Sequence, residues 1–127
     1  MIILAFPGMG KTPLVKRNGK YVDLDFGFFR SALDVKKENE RSILPQFARL
    51  AKMYEKEGYI VLTNEPKLAE FLHVDRMFLP ERRKFSARKM NVSENQIAEW
   101  ISGWQEIAQK FNIPVTFISV GLDHYLK

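Results

Sequence analysis

The feature that most constrains this chain is a hydrophobic pattern whose period changes repeatedly, from strand to helix and back. Residues 1–6 form an unbroken apolar run closed by Pro7-Gly8, the signature of a buried strand. Residues 20–25 (Lys-Tyr-Val-Asp-Leu-Asp) read as a second strand, Tyr59–Thr63 as a third, and Arg76–Leu79 as a fourth stopped by Pro80. A fifth is expected over Pro114–Val120. Helical spacing separates them. A short helix should run from Lys11 to Asn18-Gly19, with Pro13 tolerated in the first turn, where no intrahelical partner is lost. Further helices are expected over 27–37, over 42–57 (Leu44, Phe47, Leu50, Ala51 and Tyr54 inward, Gly58 as C-cap) and from Pro66. Ser93 and Gln96 have capping-box spacing ahead of a long helix, in which Ile97, Trp100, Ile101, Trp104, Ile107, Ala108 and Phe111 make one apolar face.

Strands alternating with helices imply βαβ crossovers, hence an α/β fold with a largely parallel sheet covered on both faces. At 127 residues the chain fits one domain, residues 1–127. Ligands of such sheets gather at the carboxyl ends of the strands. That edge collects Gly8–Thr12, Asp23, Asp25, Thr63 and Pro80–Arg83.

The most specific element on that edge is Ala5-Phe6-Pro7-Gly8-Met9-Gly10-Lys11-Thr12. It matches the phosphate-binding loop G-x-x-x-x-G-K-[ST], with Ala5 in place of the first glycine, where the chain merely leaves the strand. Glycines let backbone N–H groups curl around a phosphate, the lysine neutralises the β- and γ-phosphates, and the hydroxyl serves Mg²⁺. Pro7, Gly8, Met9, Gly10, Lys11 and Thr12 are therefore expected to bind a nucleoside triphosphate. The match leaves a strand and enters a helix, as that chemistry requires.

Phosphoryl transfer also needs a carboxylate near the metal, commonly an Asp ending a neighbouring strand. The third strand ends in Thr63-Asn64-Glu65 without one. The second offers Asp23-x-Asp25, two carboxylates that alternation directs to one face. Either Asp has a plainer alternative as a turn residue or helix N-cap, and Glu65 suits a helix start.

The loop Phe6–Thr12, the very short first helix and the Val22-Asp-Leu-Asp25 strand together resemble the small nucleotide-kinase-like P-loop proteins. Many of those are phage-encoded, and they are related to nucleoside monophosphate, shikimate and gluconate kinases. The Leu79-Pro-Glu-Arg-Arg83 segment and the helix bearing Trp100 and Trp104 are also similar to that group. The resemblance implies a three-layer α/β/α P-loop NTPase fold with a five-stranded, mainly parallel sheet. It further implies ATP with Mg²⁺ and transfer of the γ-phosphoryl group to a small acceptor, a (deoxy)nucleoside monophosphate above all. On that basis Asp23 with Thr12 would serve the metal, and Asp25 would face the acceptor.

Arg82, Arg83, Lys84, Arg88 and Lys89 crowd together after the fourth strand. Arginines that close over a transferring phosphoryl group stabilise its spreading charge, and Arg82 and Arg83 are the candidates for that clamp beside Lys11. Arg88 and Arg30 are the candidates for holding the acceptor. Each has a plainer reading: the basic run as a solvated face, Arg30 as the partner of Asp34 at helical spacing. Phe26, Phe28 and Phe29 suit either base stacking or core packing.

Composition narrows the rest. The absence of Cys excludes disulfides and a thiol nucleophile, and His73 and His124 lack metal-ligand spacing. A formal net charge of +5 suits a phosphate-rich partner. No apolar stretch approaches the length of a membrane span or signal segment, so a cytoplasmic location is expected. Two rival functions stand beside the kinase. One is a non-catalytic nucleotide-binding regulator, and the other a P-loop protein directed at nucleic acid.

Overall fold

A strand made only of apolar residues is satisfied only in the middle of a sheet, with both faces covered. In the computed structural model β1 (Ile2–Ala5) lies there, and all its residues are fully buried. The structure describes every residue except 10–13, 17, 120, 123–125 and 127. The remaining strands are β2 (Tyr21–Leu24), β3 (Ile60–Thr63), β4 (Arg76–Pro80) and β5 (Val115–Ile118). They form one five-stranded sheet in the order β2-β3-β1-β4-β5, with every pairing parallel. The expected α/β class is thus met, and the sheet is parallel throughout.

Register sorts the side chains. Ile3 pairs with Leu62, which pairs with Asp23, whereas Leu4 pairs with Thr63 and Thr63 with Leu24. Paired residues of parallel strands share a face, so Asp23 lies on the Ile3 face and Thr63 on the Leu4 face. Phe6 continues the Leu4 side and meets Trp104 ring to ring at 5.3 Å.

The helices are α1 (Phe26–Ala32), α2 (Leu44–Lys56), α3 (Arg83–Met90) and α4 (Glu94–Lys110), with residues 14–16 helical as well. α4 packs its buried Ile97, Ile101, Trp104 and Ala108 on the Leu4 face, each large side chain stabilising by roughly 1.5–3 kcal/mol. Crossovers in parallel sheets are right-handed as a rule. The β1-to-β2 connection runs opposite to the others along the sheet, so the rule assigns residues 14–16 to the Ile3 face and α2 to the face of α4. Leu24, on the Leu4 face, packs against the cluster that includes Leu44 and Phe47 of α2. Buried Leu14, Leu122 and Leu126 belong to the same core as β1.

Element boundaries depart from expectation in informative places. α1 stops at Ala32 because Leu33 caps it and Asp34 turns left-handed at φ 54°. The charged stretch before α2 coils as a 3₁₀ turn, Lys37–Ile43, and Pro66–Glu70 forms a second 3₁₀ turn rather than an α-helix. Ser93 does cap α4, accepting from Gln96 N–H at 3.1 Å. Trp100, expected inside, is 37% exposed, while Trp104 is buried.

Candidate functional site

Because every strand runs the same way, all carboxyl ends meet at one edge, as expected. The chain leaves β1 toward β2 and leaves β4 in the opposite direction, toward β5. Connections that diverge from adjacent strands open a crevice at their carboxyl ends. The segment Phe6–Met9 lines that crevice.

This segment is moored on several sides. Phe6 N–H donates to Phe78 O at 3.1 Å, extending the β1–β4 ladder one residue beyond the strand. Lys89 Nζ donates to Gly8 O at 2.9 Å, and Leu122 N–H donates to Met9 O at 2.9 Å. Gly8 has φ +85°, a left-handed conformation that a side chain would strain. The stem of Lys89 also crosses it closely, with Lys89 Cδ 3.6 Å from where a Cβ would sit. By contrast, the N–H groups of Gly8 and Met9 donate to nothing among the described residues. Tied carbonyls and unspent N–H groups are what an anion-binding turn requires. Gly10, Lys11 and Thr12 lie outside the described residues.

Of the acidic pair, Asp25 reaches the same edge, whereas Asp23 stands two residues back within β2. Asp23 is level with Leu62 and Ile3, and its Oδ1 is buried. Asp25 stands one residue past β2, level with Asn64 and Ala5 and roughly 10 Å from the latter at ordinary strand spacing. It is also the N-cap of α1: Asp25 Oδ1 accepts from Phe28 N–H at 2.9 Å. Asn64 Nδ2 approaches Asp25 Oδ2 at 3.5 Å, and Asn64 Oδ1 accepts from Phe26 N–H at 3.0 Å. Asp25 therefore fills the plainer role weighed for it, with its second oxygen toward Asn64.

Thr63, at the position where a strand-ending carboxylate would stand, is fully buried, and its hydroxyl has no partner among the described residues. Glu65 caps the second 3₁₀ turn, accepting from Lys67 N–H at 3.2 Å, and burial pushes its carboxyl above the ordinary value. Among the described residues no group of three or more His, Asp or Glu is gathered to hold a metal.

The basic residues separate. Arg82, at the N-cap position of α3, and Arg83, Lys84 and Arg88 are exposed. Arg88 lines an open cleft of 460 Å³ with Lys84 and Glu94, between α3 and the start of α4. Among the described residues Lys89, given no role from sequence, is the member of the run that touches the Phe6–Met9 segment. Arg30 does not pair with Asp34: its NH1 meets Glu40 Oε2 at 3.0 Å, and Lys67 approaches the other oxygen of Glu40 at 3.7 Å. Phe26 and Phe29 both pack on Phe47, with ring centroids 5.1 Å apart, as core aromatics, whereas Phe28 is 77% exposed.

No protein-family model matches the chain, and no curated protein is significantly similar to it. No described helix is long and apolar enough to cross a membrane.

Proposed function

We propose that the chain is a P-loop phosphotransferase of three-layer α/β/α architecture. It would bind ATP with Mg²⁺ through Ala5–Thr12 and pass the γ-phosphoryl group to a small acceptor, a (deoxy)nucleoside monophosphate above all. The observation that carries this reading is the Phe6–Met9 segment in the crevice between β1 and β4. The carbonyls of Gly8 and Met9 are held from outside, and the N–H groups of the same two residues are left for an anion. The strand order and the Gly-Lys-Thr that follows agree with it.

In this reading Lys11 neutralises the β- and γ-phosphates, and Thr12 and Asp23 hold the metal. Mg²⁺, when bound there by Thr12 and Asp23, would supply positive charge that offsets the charge developing on the transferring group. Arg82 and Arg83, exposed beside the β4 end, supply the clamp over the transferring group. The second oxygen of Asp25 faces the acceptor and would accept from its hydroxyl, and Arg30 and Arg88 bind acceptor phosphate. Positioning and electrostatics carry the chemistry, and no covalent nucleophile is needed.

A second reading, a nucleotide-binding regulator without turnover, is favoured by Asp25 serving as a cap and Arg30 engaging Glu40. ADP release measured across a panel of monophosphates separates the two. The kinase reading expects acceptor-dependent turnover, abolished by Lys11→Met. ATP binding without turnover on any acceptor would leave the regulator, and no ATP binding would sink both.

A further inference from the structure

Among the described residues, Lys89 from the last turn of α3 reaches the Phe6–Met9 segment that lines the crevice between β1 and β4. Its Nζ sits 2.9 Å from Gly8 O, and its Cδ lies 3.6 Å from where a Gly8 Cβ would be, in ordinary van der Waals contact. The planar trans peptide makes this contact more than a tether. Gly8 C=O and Met9 N–H share one peptide plane and point in opposite directions. Holding the carbonyl toward α3 therefore directs Met9 N–H away from α3, and that N–H donates to nothing among the described residues. Gly8, at φ +85°, is the hinge on which this peptide would otherwise rotate freely.

We infer that Lys89 is a positioning residue of the phosphate site. Through Gly8 O it fixes the peptide that presents Met9 N–H to a polyphosphate, and so makes α3 a wall of the site. The inference rests on the nucleotide reading above. It goes beyond that reading, in which the basic run acts only through arginines meeting phosphate directly. Lys89 acts through the backbone instead, and two consequences follow. Its effect should survive salt that screens long-range attraction, because a formed hydrogen bond is screened far less than separated charges. Any side chain able to donate to Gly8 O from the same place should replace it, so Lys89→Arg should rescue and Lys89→Met should not.

The test is ATP and inorganic triphosphate affinity by calorimetry for the full chain as wild type, Lys89→Met and Lys89→Arg. Each is measured at low salt and at a salt level where the Debye length is only a few Å. The Met9 amide resonance is followed in parallel in the ligand-free proteins. Lys89→Met is expected to weaken both ligands by roughly threefold to tenfold, the worth of one partly solvated charged hydrogen bond. The loss should be similar at both salt levels, with Lys89→Arg near wild type and the Met9 amide shifted only in Lys89→Met. Unchanged affinity in Lys89→Met overturns the inference and leaves the nucleotide reading intact. A loss that disappears at high salt also overturns it, making Lys89 a distant charge. A wild type that binds neither ligand overturns both. Should Lys89→Met fold poorly, Gly8→Ala disturbs the same peptide with Lys89 in place and is expected to weaken binding likewise. Unweakened binding there counts against the inference.

Discussion

Asn64 clasps Asp25 across the β2–β3 boundary: its amide nitrogen lies 3.5 Å from Asp25 Oδ2, and its carbonyl oxygen accepts from Phe26 N–H at 3.0 Å. One carboxylate thus does two things. Oδ1 starts α1 by accepting from Phe28 N–H, while Oδ2 is held at the strand edge that lines the proposed site.

The two roles separate by substitution. Asn caps a helix about as well as Asp, whereas Ala does not. Asp25→Ala should cost about 1 kcal/mol, a fall in Tm of roughly 3–6 °C for a chain of this size. Asp25→Asn should leave Tm nearly unchanged. If the carboxylate orients the acceptor, Asp25→Asn should still lower turnover by about a hundredfold, the scale of general acid–base assistance. Thermal melts alongside ADP release decide this, and full turnover in Asp25→Asn would reduce Asp25 to a cap.

Thr63 offers a sharper test of the buried edge. Its hydroxyl is buried between Leu4 and Leu24 in register and has no partner among the described residues. A polar group left unpaired in the interior costs roughly 1–3 kcal/mol. Thr63→Val keeps the shape and removes that group, so it should hold or raise the urea midpoint. Thr63→Ser keeps the hydroxyl, loses a methyl and should lower the midpoint, at a cost in stability of about 1 kcal/mol. A Thr63→Val variant destabilised by more than that would mean the hydroxyl has a partner, such as a structural water.

How far these features could be read from sequence depends on the kind of signal each leaves. The strands were legible because runs such as Ile2–Ala5 have no periodic polar residue to expose, and the loop because its glycines and Gly-Lys-Thr are adjacent. Trp100 misled because Ile97, Trp100, Ile101 and Trp104 span an arc of the helix wider than the sheet face that receives it. Lys89 was hidden within a run of like charges. In a helix successive residues point about 100° apart, and only the placement of α3 over the crevice selects Lys89 rather than Arg88. The Arg30–Glu40 pair has no helical spacing at all, since a left-handed Asp34 separates α1 from the 3₁₀ turn that carries Glu40.

That pair sets a competition. Arg30 is 25% exposed and half-buried beside Glu40, whose other oxygen is shared with Lys67. An acceptor phosphate recruiting Arg30 must displace Glu40. Glu40→Gln should therefore lower the acceptor KM by a fewfold, and Arg30→Met should raise it about tenfold, both with ATP affinity unchanged. Stability should move by no more than about 1 kcal/mol, as expected for a partly exposed pair. A KM for acceptor indifferent to both changes would remove Arg30 from the site.

Glu65 makes the edge sensitive to pH in a defined direction. Burial raises its pKa above 4.5, outweighing the lowering by the Lys67 backbone hydrogen bond and charge, and Glu40 and Glu70 add to the rise. The native state thus holds the Glu65 proton more tightly than the unfolded state does. This contribution to stability is complete below the unfolded pKa and is lost as pH rises through the folded one. Glu65→Gln keeps an oxygen for Lys67 N–H but cannot ionise. The variant should therefore match wild type in urea midpoint below about pH 4 and exceed it at neutral pH, with the gap opening across the acidic range between. An advantage equal at both pH values would point to packing rather than ionisation. A variant less stable than wild type at neutral pH would mean that the ionised carboxylate has a native partner stronger than its desolvation.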